Sequence, residues 1–492
     1  MNDEQKAKTD TKQDEPPKSY DSQGSLVIGK KKINYKATAG WLHLYEGDKK
    51  TAELFHTYYR TTRGDVAKRP VTFVFNGGPG AASAFLHVGA LGPVRTATNA
   101  DGTLPAAPVR LVDNQESWLP FTDLVFVDPV GTGLSRTIKA EGVDKKADEK
   151  EDTFYWDVEN DLTSLCDFIS NFLSKHGRWR SPIYLAGESY GGYRTARLVR
   201  MLQEKQGVGL NGAFLISPAM EWDLLFAGRF NTLAAATRLP SLAAAARFHG
   251  RSKRAGKKEQ LGNFLKRAEA YALAEYLSAF AQGPRLKAAD RKAALEELSQ
   301  WIGLTPEVLE AHDGRTSFMT FCRELLRDRK QVMGWYDASY AIDDPLPAAE
   351  SFKGVDPTLG GIMRLYVAGA NAHLRENLGL DAERKYELLS MDTNQKWQWS
   401  NKTTGDPMPA GAVEDLAVGI SMNPDIKLSV VHGVYDLITP YFESKHLVEQ
   451  LAQGSPIAKK IGFEVYEGGH MFYMWEKSRK AFTEDARKLI VG

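Results

Sequence analysis

Cysteine is almost missing from this sequence, since only Cys166 and Cys322 occur among its 492 residues. So small a number excludes a disulfide framework and a cysteine-rich metal site. Both residues lie in helical-looking segments far apart in the chain, which favours two buried thiols over a disulfide. The sequence also has no run of about 18 apolar residues, so we expect no transmembrane helix.

The chain also lacks an excess of either charge, because 63 Lys and Arg residues nearly balance 62 Asp and Glu residues. A formal net charge of +1 gives no basis for binding nucleic acid or an anionic membrane. No His and Glu residues have the spacing of a zinc hydrolase. The glycine-rich segment 77–80 lacks the Gly-Lys-Ser/Thr ending of a phosphate-binding loop. We therefore expect neither a metal nor another cofactor.

Residues 1–23 are polar throughout, which predicts a disordered N-terminal tail. They lack the basic-then-apolar pattern of an export signal. As written, the sequence predicts a cytoplasmic protein. A periplasmic or secreted protein is expected only if an export signal has been trimmed.

Strand and helix patterns divide the rest of the chain into a core and an insertion. Short alternating strands between residues 25 and 60 predict an antiparallel meander. Apolar strands with helices between them then predict a mostly parallel sheet covered on both faces; they lie at 70–75, 124–128, 183–185, 214–217, 426–431 and 463–466. Residues 218–345 predict only helices, one of them over 318–333, and hence a helical cap inserted between two parts of the core, 24–217 and 346–492.

The motif at residues 187–191, GESYG, follows the apolar strand 183–185 and precedes an amphipathic helix. A strand, a sharp turn of small residues and a helix are the setting in which G-x-S-x-G forms a nucleophile elbow. We therefore expect Ser189 to stand clear at the end of the strand. The N-terminus of the following helix favours negative charge that develops there.

A serine nucleophile needs a base and an acid that orients the base, in the chain order Ser, Asp or Glu, His for this kind of elbow. Asp436 follows the predicted strand 426–431, and His470 follows the strand 463–466. Both lie on turns at the carboxyl ends of strands, where open α/β sheets place their sites. His432 competes with His470 for the role of base. The order and the strand-end positions favour Ser189, Asp436 and His470 as the triad.

Acyl transfer also requires donors for an oxyanion. Residues 76–78, NGG, follow the strand 70–75 and offer backbone N–H groups on a loop without bulky side chains. The N–H of Tyr190, directly after the nucleophile, is the second expected donor.

Taken together, these segments resemble the serine carboxypeptidases, a family with the α/β-hydrolase fold. The resemblance rests on five segments: 75–80 (FNGGPG), 114–118 (NQESW), 128–133 (DPVGTG), 187–192 (GESYGG) and 469–471 (GHM). They run from about residue 70 to residue 472. The sequence most resembles the bacterial branch of the family, which lacks the disulfides of vacuolar and secreted relatives. Its two cysteines agree with this resemblance.

The resemblance implies a peptide substrate and a role for each site residue. Ser189, Asp436 and His470 would form the triad, and Gly78 and Tyr190 would supply the oxyanion N–H groups. Asn76 and Glu188 would bind the C-terminal carboxylate of the peptide. Two carboxyl groups can meet only if they share a proton. The resemblance therefore implies release of C-terminal residues through an acyl-enzyme, with most activity at acidic pH.

Two departures from the family pattern keep alternatives open. Ala90 stands where the family usually has a Glu that supports the carboxylate site, which weakens the expectation of strict carboxylate recognition. Phe472 and Tyr473 stand where Val-Pro is frequent after the His, so we expect a narrower pocket beside the base. An esterase or acyltransferase on the same scaffold is one alternative. A lyase, for which no feature of the sequence argues, and a binding protein without catalytic activity are the others.

Overall fold

A computed structural model of the chain describes residues 18–138, 153–400 and 409–492. Its strands, numbered in chain order, are β1 Ser19–Ile28, β2 Lys31–Glu46, β3 Lys49–Thr61, β4 Val71–Phe75, β5 Val94–Thr96, β6 Leu111–Asp113, β7 Asp123–Val127, β8 Arg136–Thr137, β9 Ile183–Glu188, β10 Gly212–Ile216, β11 Gln331–Met333, β12 Ala341–Asp343, β13 Lys427–Gly433 and β14 Ile461–Tyr466.

One sheet of ten strands dominates the described residues, in the order β1-β2-β3-β7-β4-β9-β10-β13-β14, with β8 paired to β3. The first three strands form the predicted antiparallel meander, and β3 is antiparallel to β7. From β7 to β14 all neighbouring strands are parallel. The carboxyl ends of β4, β9, β10, β13 and β14 therefore meet at one edge of the sheet.

The α-helices of the described residues are Ala84–Leu86, Val158–Lys175, Tyr190–Gln206, Trp222–Leu225, Thr232–Phe248, Leu261–Tyr271, Leu277–Phe280, Ala288–Ile302, Pro306–Ala311, Phe318–Glu324, Pro357–Ala372, Met391–Gln395, Val413–Met422, Tyr441–Gly454 and Glu476–Val491. Buried apolar clusters lie on both faces of the sheet. A mostly parallel sheet in this order, covered by helices on both sides, is the α/β-hydrolase fold expected from the sequence.

The N-terminal boundary differs from the prediction. Residues 1–17 of the predicted tail 1–23 lie outside the described residues, but β1 already begins at Ser19. Its polar residues form a strand because the backbone pairs with β2 along its whole length, starting with Ser19 opposite Gly40. Cross-strand hydrogen bonds thus override a composition that favours disorder.

A helix predicted over 318–333 is also shorter than expected. It ends at Glu324, and the chain then forms a hairpin of β11 and β12. The chain leaves the helical conformation at Leu326, with φ −114° and ψ 18°, and Lys330 follows with a φ of 56°, a left-handed conformation that a helix cannot continue through. The hairpin brings a turn of the 218–345 insertion toward the carboxyl ends of the core strands.

A buried ionic network closes the opposite, amino-terminal end of the sheet. Arg178 donates to Asp123 at 2.7 Å, to Tyr58 at 2.6 Å and to the carbonyl of Arg69 at 2.7 Å. The side chain of Arg178 is completely buried. Removing one partner of a buried ion pair leaves the other charge without compensation.

We expect Arg178→Met to lower the free energy of unfolding by about 3 kcal/mol, because at nearly constant side-chain length it removes the guanidinium donors to Tyr58 and to the Arg69 carbonyl and leaves Asp123 with one of its two arginine partners, Arg69. Urea denaturation followed by tryptophan fluorescence measures the change. Arg180→Met, at an exposed neighbouring position, is the control and should stay within about 0.5 kcal/mol of the parent protein. Equal stability of the two variants would show that the network does not hold this end of the sheet.

Candidate active site

Ser189 occupies the turn between the end of β9 and the helix Tyr190–Gln206. Its φ of 62° and ψ of −123° are the strained backbone angles of a sharp strand-to-helix turn. The Ser189 N–H donates to Ile216 O at 2.9 Å, and its carbonyl accepts from the N–H of Ala219 at 3.2 Å. The end of β10 thereby holds the turn, and the half-buried serine lies at the carboxyl edge of the sheet.

Asp436 and His470 come together at the same edge because they follow the neighbouring parallel strands β13 and β14. The distance from His470 Nδ1 to Asp436 Oδ2 is 2.7 Å, and both side chains are buried. With Nδ1–H donating to the carboxylate, Nε2 of the imidazole is left as the basic nitrogen.

The Asp436 carboxylate is held by several further donors. Its Oδ1 accepts from the N–H groups of Ile438 at 2.8 Å and Thr439 at 3.1 Å. The Thr439 hydroxyl donates to Oδ2 at 2.7 Å, on the oxygen that His470 also uses. The carboxylate therefore has one orientation, and it fixes the imidazole in turn.

His432, the competing base, lies elsewhere. It is completely buried, and its ring stacks on Phe463 with a centroid distance of 5.8 Å. Burial lowers the pKa of His432 to about 4. The structure therefore pairs Asp436 with His470 and leaves His432 in the apolar interior.

The Ser189 and His470 turns are joined through β10. Ser217 directly follows β10, whose last residue, Ile216, accepts from the Ser189 N–H. The Ser217 hydroxyl donates to His470 O at 2.9 Å. Within the described residues, the Ser189 hydroxyl itself makes no hydrogen bond to His470. Such pairs are often loose without substrate and tighten in the complex.

The loop 76–78 lies directly on the elbow. A Cβ atom at Gly77 would be 2.4 Å from Tyr190 N, so only glycine allows this approach. Among the described residues, the N–H groups of Gly78 and Tyr190 have no hydrogen-bond acceptor. Both N–H groups predicted as oxyanion donors are therefore free for a substrate oxygen, and that of Tyr190 directly follows Ser189.

Glu188 is buried immediately before Ser189, with 3% of its surface exposed. Burial raises the pKa of Glu188 to about 7, although nearby His470 and hydrogen bonds from Tyr473 and Asn76 favour the ionised form. The Asn76 side chain is itself fixed, since its Oδ1 accepts from the N–H of Leu86 at 3.1 Å. The structure thus joins Asn76 and Glu188, the pair assigned to carboxylate binding by the resemblance.

Tyr473 has a position that the sequence did not reveal. Its hydroxyl donates to Glu188 Oε2 at 2.6 Å, whereas we expected it only to narrow the pocket. The hydroxyl of Tyr366, buried and without a hydrogen-bond partner in the described part of the chain, would touch a Cβ atom at Gly89, beside Ala90. Tyrosine hydroxyls therefore lie near the place where the family has its additional Glu. The unusual Phe-Tyr after His470 was the only signal in the sequence.

The charge state of His470 depends on these carboxyl groups. Burial by itself lowers the pKa of His470, but the charge and hydrogen bond of Asp436 and the charge of Glu188 outweigh it and hold the pKa above its usual value. Protonation of Glu188 removes one of the charges that raise this pKa. Glu188 and His470 therefore titrate as coupled groups.

The arrangement contains what acyl transfer requires: a serine at an elbow, a base held by a carboxylate and two free backbone donors. In the ranges 18–138, 153–400 and 409–492, no three His, Cys, Asp or Glu side chains are placed to hold a metal ion. None of the helices in those ranges is long and apolar enough to cross a membrane.

Residues 28–239 match the family model described as serine carboxypeptidase. This match covers less than half of the chain; it includes Asn76, Gly78, Glu188, Ser189 and Tyr190 and ends well before Asp436 and His470. The family likeness thus covers the elbow, the oxyanion loop and the acid at position 188.

Curated relatives give the same similarity over a similar length. A carboxypeptidase Y homolog of Arthroderma benhamiae is 32% identical over 176 residues, which is 34% of this chain and 30% of the relative. A pheromone-processing carboxypeptidase KEX1 of Phytophthora infestans is 29% identical over 165 residues, 31% of this chain and 24% of the relative. The chain thus spans less than a third of either relative's length. Both relatives are eukaryotic, so they give no support to the bacterial branch.

A carboxyl esterase of Bacillus coagulans aligns over 93% of this chain and 98% of its own, with 12% identity and a TM-score of 0.35. So distant a likeness carries no argument about activity. The topology of the sheet establishes the α/β-hydrolase fold, and residues 28–239 are similar to the serine carboxypeptidases.

Proposed function

We propose that the protein is a serine carboxypeptidase that releases C-terminal residues from peptides. The observation that carries the proposal is the buried carboxyl group of Glu188, joined to Asn76 and Tyr473 and one residue from Ser189. An acyl-transfer site needs no second acid in this position. A site that recognises the C-terminal carboxylate of a peptide does need such an acid, because a protonated carboxyl group can donate a hydrogen bond to that carboxylate.

The reaction follows from the positions of the groups. The Ser189 hydroxyl attacks the carbonyl carbon of the last peptide bond, and His470 Nε2 takes its proton. The N–H groups of Gly78 and Tyr190 stabilise the oxyanion of the tetrahedral intermediate. His470 then gives the proton to the leaving amine, which departs as the C-terminal residue. Water, activated by His470, hydrolyses the acyl-enzyme and restores the Ser189 hydroxyl.

Activity is highest where Glu188 is protonated and His470 is neutral. Because the pKa of Glu188 is about 7, the first condition is met below neutral pH. The raised pKa of His470 works against the second condition at low pH. Loss of the Glu188 charge on protonation lowers that pKa again, which supports activity on the acidic side of neutrality.

We also propose that the protein belongs with the bacterial members of the family, which lack disulfides. Both cysteines are free and buried, which supports this assignment. Cytoplasmic location stays a prediction.

An esterase or acyltransferase is the second candidate, and Ala90 favours it. This residue is buried and carries no carboxyl group where the family usually has one. The site then depends on Glu188, Asn76 and Tyr473 for any recognition of a carboxylate. A substrate without a free carboxylate would lose less binding energy here than in a relative with the second acid.

We expect release of the C-terminal residue from a blocked dipeptide at about pH 6, below the pKa of Glu188, and no release by Ser189→Ala. The matching dipeptide amide should react at least tenfold more slowly, because it has no carboxylate to pair with Glu188. Chromatography of the released residue measures both rates. Equal rates for the acid and the amide would favour the esterase or acyltransferase. Failure of a serine-directed phosphonate to label Ser189 would favour the binding protein without activity.

The pH profile of kcat/KM should change on its high-pH side in Glu188→Gln. In the parent protein, kcat/KM for the dipeptide falls as pH rises through about 7, because ionised Glu188 repels the substrate carboxylate. The variant has no group to ionise there and should lose this fall. At low pH Glu188 is already protonated in the parent protein, so the rise that His470 controls should stay in place in the variant.

Glu443→Gln is the matched control for this profile. Glu443 is equally buried at 3% exposure, and burial raises its pKa to about 8. It has no hydrogen bond to Asn76 or Tyr473 among the described residues. The rise and the fall of kcat/KM with pH should therefore stay in place in this variant. An unchanged profile in Glu188→Gln would contradict the role of this acid.

A further inference from the structure

The turn between β11 and β12, residues 334–340, reaches from the 218–345 insertion to both loops of the triad. We call it the hairpin tip. Its two strands pair antiparallel, and the Gly334 N–H donates to Tyr340 O at 2.9 Å. The tip is therefore a defined turn rather than an irregular loop.

On one side the tip binds the His470 loop. The His470 N–H donates to Tyr336 O at 2.6 Å, and the Gly469 N–H donates to Asp337 Oδ2 at 3.0 Å. A Cβ atom at Gly469 would be 2.4 Å from Asp337 Cα, so only glycine permits this contact. The ring of Tyr336 meets the His470 ring edge-on, with centroids 5.4 Å apart.

On the other side the tip binds the Asp436 loop. The Ala338 N–H donates to Tyr435 O at 2.9 Å, and the Leu437 N–H donates to Trp335 O at 3.1 Å. Both partners are direct neighbours of Asp436. One short turn of the insertion therefore holds both loops that carry the base and its carboxylate.

The tip is itself anchored. Asp356 Oδ2 accepts from the Trp335 N–H at 2.6 Å, and its Oδ1 accepts from the Leu359 N–H at 2.7 Å. The second contact lies in the first turn of the helix Pro357–Ala372. The other oxygen of Asp337 accepts from the Ser339 N–H at 3.0 Å, which fixes its carboxylate within the tip.

We propose that Asp337 is a positioning residue: through the Gly469 N–H it holds the His470 loop in the place where the imidazole bonds to Asp436, which proton transfer from Ser189 requires. This inference rests on the proposed function of Ser189 and His470. The parallel strands β13 and β14 fix only where each loop begins. Beyond the strand ends the Ser217 hydroxyl donates to His470 O, and the Tyr435 N–H donates to Gly468 O at 2.9 Å. The hairpin tip adds a constraint from the insertion by bonding to both loops. The insertion thereby helps to place the base.

Asp337→Ala tests the proposal, with Asp337→Asn as the conservative variant and Asp343→Asn as the control. Asp343 is an exposed carboxyl at the base of the same hairpin. We expect Asp337→Ala to reduce kcat per phosphonate-titrated site about 10- to 100-fold, with KM within about twofold, because small displacements of a catalytic group have effects of this size. Asp337→Asn keeps one carbonyl oxygen as an acceptor, so its kcat should lie between those of Asp337→Ala and the parent protein. Asp343→Asn should match the parent protein.

The imidazole of His470 gives a readout that needs no substrate. Its Nδ1 proton, held by Asp436, should give a low-field proton NMR resonance in the parent protein and in Asp343→Asn. We expect exchange to broaden this resonance in Asp337→Ala. The proposal would be overturned if Asp337→Ala kept the resonance and the rate of phosphonate labelling of the parent protein. A change in KM alone would also overturn it.

Two further outcomes are also decisive. If Asp337→Ala does not fold, a parent-like labelling rate in folded Asp337→Asn overturns the proposal, and a reduced rate with the broadened resonance supports it. If the phosphonate fails to label the parent protein, the proposed function is wrong. The resonance still shows whether Asp337 positions His470.

Discussion

Burial of a carboxyl group directly before the elbow serine is the constraint on which the site depends. Glu188 is the last residue of β9, and the strand directs its side chain into the interior. Such a group must find donors or give up its charge. Its donors come from distant parts of the chain, Asn76 after β4 and Tyr473 after β14. The acid thus links the oxyanion loop, the elbow and the His470 loop, and its pKa couples to that of His470.

Three parts of the chain assemble the site because the sheet brings their ends together. The first part of the core supplies the elbow and the oxyanion loop, and it contains most of the residues 28–239 that match the family. The second part supplies Asp436 and His470 from adjacent parallel strands. The insertion supplies the hairpin tip, which bonds to both loops. The match to the family therefore covers the nucleophile side of the site, and the base side follows from the topology.

What could be predicted from the sequence depended on local pattern. The elbow is a strand, a turn and a helix in one short segment, and parallel strands place Asp436 and His470 at one edge whatever their separation in sequence. Tyr473 and Asp337 are ordinary residue types whose partners lie more than a hundred positions away, so no periodicity marks them. The helix predicted over 318–333 is too long because the chain leaves the helical conformation at Leu326 and turns again at Lys330. The tail prediction failed at Ser19 because strand pairing outweighs composition.

Proton uptake on binding tests the shared proton of Glu188 most directly. Calorimetric titration of Ser189→Ala with a blocked dipeptide, in buffers of different ionisation enthalpy, counts the protons taken up. At about pH 8.5, more than one unit above the pKa of Glu188, binding of the acid should take up about one proton, because one of the two carboxyl groups must be protonated. The dipeptide amide should take up none. Binding of the dipeptide with its free carboxylate but without proton uptake would contradict the recognition of peptide C-termini by Glu188.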